Sequence, residues 1–303
     1  MGACRVRNAG PTGMSRKGPI VWPRHAQAIP NPALQTNLHS SPMTDITLRR
    51  AGLAPAAAVI PAAGRGLRLG PGAPKALRQL GGTPMLVHAV RAMARARAVA
   101  LVVVVAPPGE AEAVRSLLDE HPPPPGVDQL VVPGGETRQE SVRRGLDALP
   151  DAIEIVLVHD AARPLVPVDT VDAVAAAVRA GAPAVVPALP VTDTVKQIAA
   201  PSDPPPANAG RYPQGGPEPV VATPDRALLR AVQTPQGFDR ATLVAAHLKH
   251  AEGDATDDAG MVERMGVPVV LVPGHEEAFK VTRPLDLVLA EAVLARRRKN
   301  DGY

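Results

Sequence analysis

Residues 99–106 read VALVVVVA, eight consecutive apolar residues of which five are valine. The run is too short to span a bilayer and too β-branched to favour a helix. A strand of this kind is buried on both faces, which requires a parallel sheet covered by helices on each side. The rest of the sequence supplies the parts. Strand-like segments fall at 57–60, 129–132, 153–158, 184–187 and 267–272. Segments with helical spacing fall at 110–118, 138–149, 170–180, 225–232, 241–251, 257–265 and 285–297, and also at 83–93, where Thr83 reads as a cap and Pro84 as the first helical residue. This alternation predicts an α/β fold, a three-layer αβα sandwich around a mostly parallel sheet. Aromatic residues make up only 2% of the chain, so alanine and valine must fill its core.

Two segments fall outside that order. Residues 1–50 hold seven Arg or Lys against one acidic residue and show no apolar period, so we expect a disordered tail. The remaining residues, 51–303, carry 26 basic and 28 acidic residues. The high pI of about 9.6 thus reflects the tail, and a general nucleic-acid surface is not supported. Met43 stands just before the first orderly segment, which suggests a functional start there or a dispensable tail. The second irregular segment, 199–221, is rich in Pro, Gly and Asn and reads as an insertion or arm at about 194–222. With Cys4 the single cysteine, there is no disulfide framework and no cysteine metal site. No apolar run is long enough to cross a membrane. A reducing, cytoplasmic compartment is the expectation.

The chemistry concentrates where strands end, because ligands of parallel α/β sheets bind there. After the first strand comes Ala62-Ala-Gly64-Arg65-Gly66-Leu-Arg68-Leu-Gly70, then Pro74-Lys75. No Asp or Glu occurs between Ile46 and Gly109. Glycines let backbone N–H groups approach a polyanion, and the cations neutralise it, so the segment reads as a triphosphate cradle. It is not a P-loop, since no Gly-Lys-Ser/Thr follows. A dinucleotide fingerprint fails because the third glycine is Gly70, one place late, and because no acidic residue follows about 20 residues on.

Later strand ends add polar groups. Residues 133–141 hold the paired glycines Gly134 and Gly135 and then Ser141, which could bond a base or sugar; a plain turn would also use these glycines. After 153–158 come His159, Asp160, Ala161 and Arg163. A carboxylate at such a strand mouth needs a partner, so Asp160 meets a hydroxyl, a metal-bound phosphate or Arg163, unless it only caps a helix. His159, a lone imidazole, reads as a packed polar residue rather than a base. Further on stand Asp193, Lys196, Arg226, Thr234, Thr256, Lys280 and Arg283. Residues 256–258 by themselves read as a helix start, and Lys280, in an apolar neighbourhood, reads as an anion ligand or a surface lysine. The basic run 296–299 suits the C-terminal end of a helix. No serine-nucleophile triad and no histidine pair at metal spacing is present. Cations without those devices point to phosphoryl or nucleotidyl transfer.

Seven blocks in order, AAGRGLRLG with PKAL, GGETRQES, VHDAARP, VTDTVK, TPQGF, ATDDA and FKVTRPLDL, resemble the 2-C-methyl-D-erythritol 4-phosphate cytidylyltransferase family from about residue 57 onward. The resemblance implies a nucleotide-diphospho-sugar-transferase-like (Rossmann-like) sheet with a protruding β-arm that helps build a homodimer. It also implies that CTP and the polyol phosphate become the CDP-alcohol and pyrophosphate, with Mg²⁺ held mainly by the phosphates. By motif position Arg68, Lys75 and Lys280 would be catalytic. Ala62, Ala63, Gly64, Gly66, Gly135 and Ser141 would hold the cytidine and its phosphates, and Asp160 and Ala161 would lie near the ribose and second substrate. Arg226, Thr234 and Thr256, with Lys280, would bind the alcohol phosphate. The tail lies outside the pattern, and the insertion is longer and more proline-rich than the family's arm. Two alternatives stay open at this point: a cytidylyltransferase for another polyol phosphate, such as ribitol 5-phosphate, and a catalytically dead nucleotide-binding homologue.

Overall fold

A computed structural model of the chain describes residues 55–63, 74–199, 218–251 and 257–300. The tail, the glycine turn with Gly64, Gly66 and Arg68, most of the insertion, and Thr256 lie outside the described residues.

The central sheet is built outward from β1 (Ala56–Pro61). On one side β1 pairs in parallel with β4 (Val99–Ala106), and β4 with β5 (Asp128–Pro133). On the other side it pairs in parallel with β6 (Ile155–Val158). Between β1 and β4 lie a small hairpin, β2 (Gln79–Leu80) with β3 (Thr83–Pro84), and helix α1 (Met85–Ala94). Thr83 therefore does not cap the helix. It belongs to a strand, and Pro84 occupies the cap position with no side-chain hydrogen bond. Helix α2 (Ala111–Asp119) leads to β5, α3 (Arg138–Asp147) to β6, and α4 (Val168–Arg179) to β7 (Ala184–Pro190).

Beyond β6 the sheet is mixed. A two-stranded ribbon, β8 (Gln197–Ile198) with β9 (Val220–Ala222), joins the ends of the insertion. Residues 225–232 are not the helix their spacing predicts. A single 3₁₀ turn at Arg226–Leu228 gives way to β10 (Arg230–Val232), antiparallel to β7. β11 (Gln236–Asp239) then fills the gap between β6 and β7, antiparallel to both. Helices α5 (Arg240–Lys249) and α6 (Asp258–Arg264) follow, then β12 (Val269–Pro273) parallel to β7, and α7 (Pro284–Asn300).

β10 and β11 run along the same edge of β7, because β12 occupies the other. Val232 faces Ala188 and Gly237 faces Val185, so this stretch carries two more residues than its partner. The excess bulges out at Gln233-Thr234-Pro235.

Strand alternation sorts the core into two sheets of packing. Ala56, Ala58 and Ile60 face α1, α2 and α4 through Val90, Met93, Leu118 and Val174. Ala57, Val59, Val103 and Val105 face α3, α5 and α6 through Val142, Leu146, Leu243, Met261 and Val262. Every residue of β4 is buried, as its sequence predicts. Each such valine or leucine contributes about 1.5–3 kcal/mol by leaving water. On the second face Gly145 lets α3 approach closely: a Cβ there would stand 2.5 Å from Val59 Cγ1. A smaller cluster of Leu80, Met85, Leu165, Val281 and Ala290 seats α7.

Candidate active site

The strand order turns back at β1, since β4 and β6 flank it on opposite sides. The crevice outside the carboxyl end of β1 is the switch point where ligands of open α/β sheets bind. Ala62 follows β1 and donates its N–H to Val105 O at 2.8 Å; it is buried, whereas Ala63 is half-buried. The chain then enters the glycine turn and returns at Lys75, half-buried in a one-turn 3₁₀ helix, Lys75–Leu77.

The second wall follows β5. Gly134 N–H donates to Ala106 O at 2.7 Å, and a Cβ on Gly134 would stand 2.5 Å from that same oxygen, so only glycine can follow this path. Ser141 is fully buried. Its hydroxyl accepts from Gly135 N–H at 3.2 Å and donates to Thr137 O at 2.9 Å. The serine thus ties the glycine loop to the first turn of α3. Thr137 caps that helix through Glu140 N–H at 3.0 Å.

The floor is made where β6 ends. Buried Ala161 and Ala162 follow Asp160, whose side chain is 13% exposed. Its Oδ2 lies 2.8 Å from Lys280 Nζ and 3.9 Å from Arg163 Nε, and its Oδ1 lies 3.7 Å from Arg138 Nε. Burial alone would raise this carboxyl. Lys280 first, then Arg138 and Arg163, bring it down to about 2. Of the partners expected for Asp160, Arg163 is present, and Lys280 and Arg138 join it. Lys280 is 42% exposed, so its ammonium is shared between Asp160 and the crevice.

Lys280 is placed by three ties. Val281 N–H donates to Ala162 O at 2.8 Å, and Arg163 Nη1 donates to Ala278 O at 2.7 Å. Gln233, in the bulge, donates to His275 O at 2.9 Å and accepts from His275 N–H at 3.0 Å. Arg296 and Arg297, in the basic run of α7, both bond Glu277, which anchors the same loop from behind.

The bulge delivers Thr234 to the floor. Asp160 N–H donates to Thr234 Oγ1 at 3.0 Å, and that oxygen lies 3.1 Å from His159 Nδ1. His159 Nε2 lies 3.1 Å from Arg163 O. A carbonyl only accepts, so Nε2 carries the proton and Nδ1 accepts the threonine hydroxyl. Both ring nitrogens are used and the ring is fully buried. Desolvation pushes its pKa down to about 4, so it is neutral at pH 7.

Arg226 lies elsewhere. It is exposed in the 3₁₀ turn and donates to Thr192 O at 2.6 Å, on the side of the ribbon. Gly64, Gly66, Arg68 and Thr256 fall outside the described residues.

Three residues of this region escape sequence reasoning. Arg138 stands in the first turn of α3, where a cation opposes the helix dipole, and that misfit is the available signal of a partner. Asp258 reads as a helix start, yet Asp257 is the cap, accepting Gly260 N–H at 3.1 Å. Asp258 is instead fully buried between Arg138 Nη1 at 2.8 Å and His247 Nε2 at 2.9 Å. Gln236, also buried, clamps α6 by donating to Asp257 Oδ2 at 2.9 Å and accepting Ala259 N–H at 3.1 Å.

A switch-point crevice walled by a glycine loop and floored by a carboxylate among cations defines an enzyme of the nucleotidyltransferase class. The family described as "IspD: 2-C-methyl-D-erythritol 4-phosphate cytidylyltransferase" matches residues 56–296. A protein of Streptomyces coelicolor named 2-C-methyl-D-erythritol 4-phosphate cytidylyltransferase is 73% identical over 255 residues, 84% of this chain and 90% of that one. The crystal structure of the Thermus thermophilus protein of the same name aligns with a TM-score of 0.57 at 37% identity, covering 78% of this chain and 97% of that one. The 4-diphosphocytidyl-2C-methyl-D-erythritol synthase of Anaerococcus prevotii aligns with a TM-score of 0.65 at 26% identity, covering 80% and 96%. The chain belongs to the 2-C-methyl-D-erythritol 4-phosphate cytidylyltransferase family.

Proposed function

We infer that this chain transfers the cytidylyl group of CTP to 2-C-methyl-D-erythritol 4-phosphate. The products are 4-diphosphocytidyl-2-C-methyl-D-erythritol and pyrophosphate, in the non-mevalonate route to isoprenoid precursors. The observation that carries the reading is the Asp160–Lys280 pair, set between Arg138 and Arg163 at the switch point.

The nucleophile is an oxygen of a phosphate monoester, whose second pKa is about 6. It is largely a dianion at pH 7 and needs no general base. His159, neutral and with both nitrogens engaged, is consistent with that. The difficulty is to bring two polyanions together. Lys280 offers its crevice-facing N–H donors to the incoming phosphate while Asp160 holds the ammonium in place. Lys75 and Arg68 neutralise charge developing at the α-phosphate, where preorganised donors act most strongly. Backbone groups at Ala62, Ala63, Gly64, Gly66 and Gly135, with Ser141 bracing the loop, receive the nucleotide. Asp160 and Ala161 lie at the ribose and Thr256 serves the polyol phosphate, while Thr234, whose one hydroxyl proton goes to His159, braces the floor, and Arg226, on the side of the ribbon, stands apart from this crevice.

Among the described residues no three His, Cys, Asp or Glu stand together to cage a metal. We propose that Mg²⁺ is carried on phosphate oxygens, with Asp160 the carboxylate at the crevice floor that would face it. When bound, the ion adds positive charge against the triphosphate. Among the described residues no helix is long and apolar enough to cross a membrane. We place the enzyme in the cytoplasm, as a homodimer formed through the arm.

The test is pyrophosphate release from CTP with Mg²⁺, comparing 2-C-methyl-D-erythritol 4-phosphate with ribitol 5-phosphate. Turnover with the first and little with the second is expected. The reverse preference identifies a ribitol-type enzyme, and CTP binding without turnover identifies a dead homologue; either overturns the reading.

A further inference from the structure

Asp258 is not the cap of α6, which Asp257 already supplies. Both of its oxygens are nonetheless committed, one to Arg138 Nη1 at 2.8 Å and one to His247 Nε2 at 2.9 Å, with no exposure at all. A fully buried carboxylate is costly unless well paired, and replacing such a pair with apolar groups is often neutral or stabilising. Folding alone therefore does not demand it. His247 comes from α5 and is itself buried. Its other ring nitrogen finds no hydrogen-bond partner among the described residues, so its one polar contact is Asp258.

On the far side of Arg138 lies the crevice. The guanidinium is 27% exposed, three residues beyond Gly135, and its Nε is 3.7 Å from Asp160 Oδ1. The side chain is thus suspended between a buried carboxylate behind and a crevice carboxylate ahead. Without Asp258, its remaining anionic contact is Asp160, and the guanidinium would swing toward that carboxylate and away from the glycine loop. Arg138 and His247 hold Asp258 ionised against a burial that by itself would favour the neutral acid, and the same burial gives the carboxylate leverage: its pull on Arg138 acts in a low dielectric.

We propose that Asp258, steadied by His247, is a positioning residue that holds the Arg138 guanidinium back from Asp160 and presents it to the nucleotide beside the Gly134–Gly135 loop. This rests on the reading of the crevice as a CTP site.

The experiment is a double-mutant cycle in the full chain, with Asp258→Asn, Arg138→Met and the double variant, each checked for native circular dichroism. Asp258→Asn should raise KM for CTP about tenfold, while kcat and KM for 2-C-methyl-D-erythritol 4-phosphate stay within about twofold. The double variant should match Arg138→Met alone, because the aspartate acts only through that arginine. Additive effects on KM for CTP, or equal losses in all parameters, would show a merely structural role and overturn the proposal. If Asp258→Asn does not fold, His247→Leu removes the other support of the same carboxylate. It should raise KM for CTP about threefold, and an unchanged KM overturns the proposal. Wild-type protein inactive with both polyol phosphates would sink the functional reading separately. The cycle is then read as the CTP dissociation constant by calorimetry, with the same criteria.

Discussion

Acid should weaken this fold chiefly through His159, with His88, also held below 6.5 by burial, adding in the same direction. His159 is fully buried, and its neutral ring donates to Arg163 O and accepts from Thr234. Its pKa is pushed from 6.5 to about 4. Between those values the unfolded chain binds a proton that the folded chain refuses, so stability falls as pH drops. A gap of this size corresponds to roughly 3 kcal/mol in total, of which about 2.5 kcal/mol is lost between pH 7 and pH 4.5. Asp160, held at about 2 from an ordinary value of 3.8, adds only about 0.1 kcal/mol in the same direction by pH 4.5, because the unfolded carboxyl has barely begun to protonate there. The comparison is wild type against His159→Asn, whose amide oxygen can still accept the Thr234 hydroxyl but cannot titrate. Urea unfolding at constant ionic strength, from pH 7 to pH 4.5, gives both curves. At pH 7 the variant should be weaker by about 1–3 kcal/mol, because Arg163 O loses its donor. The deficit should shrink or reverse by pH 4.5. Parallel curves would show that burial does not hold the imidazole neutral, and the reasoning would fail.

Gly145→Ala forces a Cβ to within 2.5 Å of Val59 Cγ1 and 3.0 Å of Val105 Cγ2, both fully buried side chains. The overpacking should cost about 1–3 kcal/mol, less up to about 1 kcal/mol from better helix propensity, and a chemical melt at wild-type stability would contradict it. Lys75→Ala and Arg68→Ala should each lower kcat about a hundredfold to a thousandfold in steady-state assays. A change confined to KM would misplace the reacting phosphate. CTP should turn over far faster than UTP, ATP or GTP, because the Gly135 loop leaves backbone groups to read a small pyrimidine edge, and equal rates would remove that role. Thr137→Ala, losing the cap on Glu140 N–H, should cost about 1 kcal/mol by thermal melting, and no change would show that the cap is idle.

The parallel half of the sheet is legible because β4, β6 and β7 are buried on both faces and must be apolar throughout. The antiparallel half is not. β10 carries Ala231 and Val232 after Ala227 and Leu228, a spacing that reads as helical, yet it becomes a strand because β7 offers an unpaired edge. β11 reads as a site motif, TPQGF, rather than a strand. It is short and glycine-bearing, and two strands distant in sequence hold it in place. Of the site, Asp160 and Lys280 could be found from their positions after strands, and the structure joins them at 2.8 Å. Asp258 and His247 could not, since their meaning depends on two helices packing over α3. The side-chain position of Arg226 depends on the ribbon, whose pairing only three-dimensional structure reveals.

The ribbon of β8 and β9 has a consequence for how this chain can change over time. Its pairing, Gln197 with Ala222 and Ile198 with Val220, fastens the two ends of the intervening 21 residues to each other at the periphery. Extra length beyond that clasp adds closure entropy only logarithmically, about 0.6 kcal/mol for each doubling. None of it need be transmitted to Asp160 or Lys280, which are fixed by separate ties to β6, the bulge and α7. Lineages can therefore lengthen, shorten or reword this excursion, prolines included, at little thermodynamic risk to the catalytic floor.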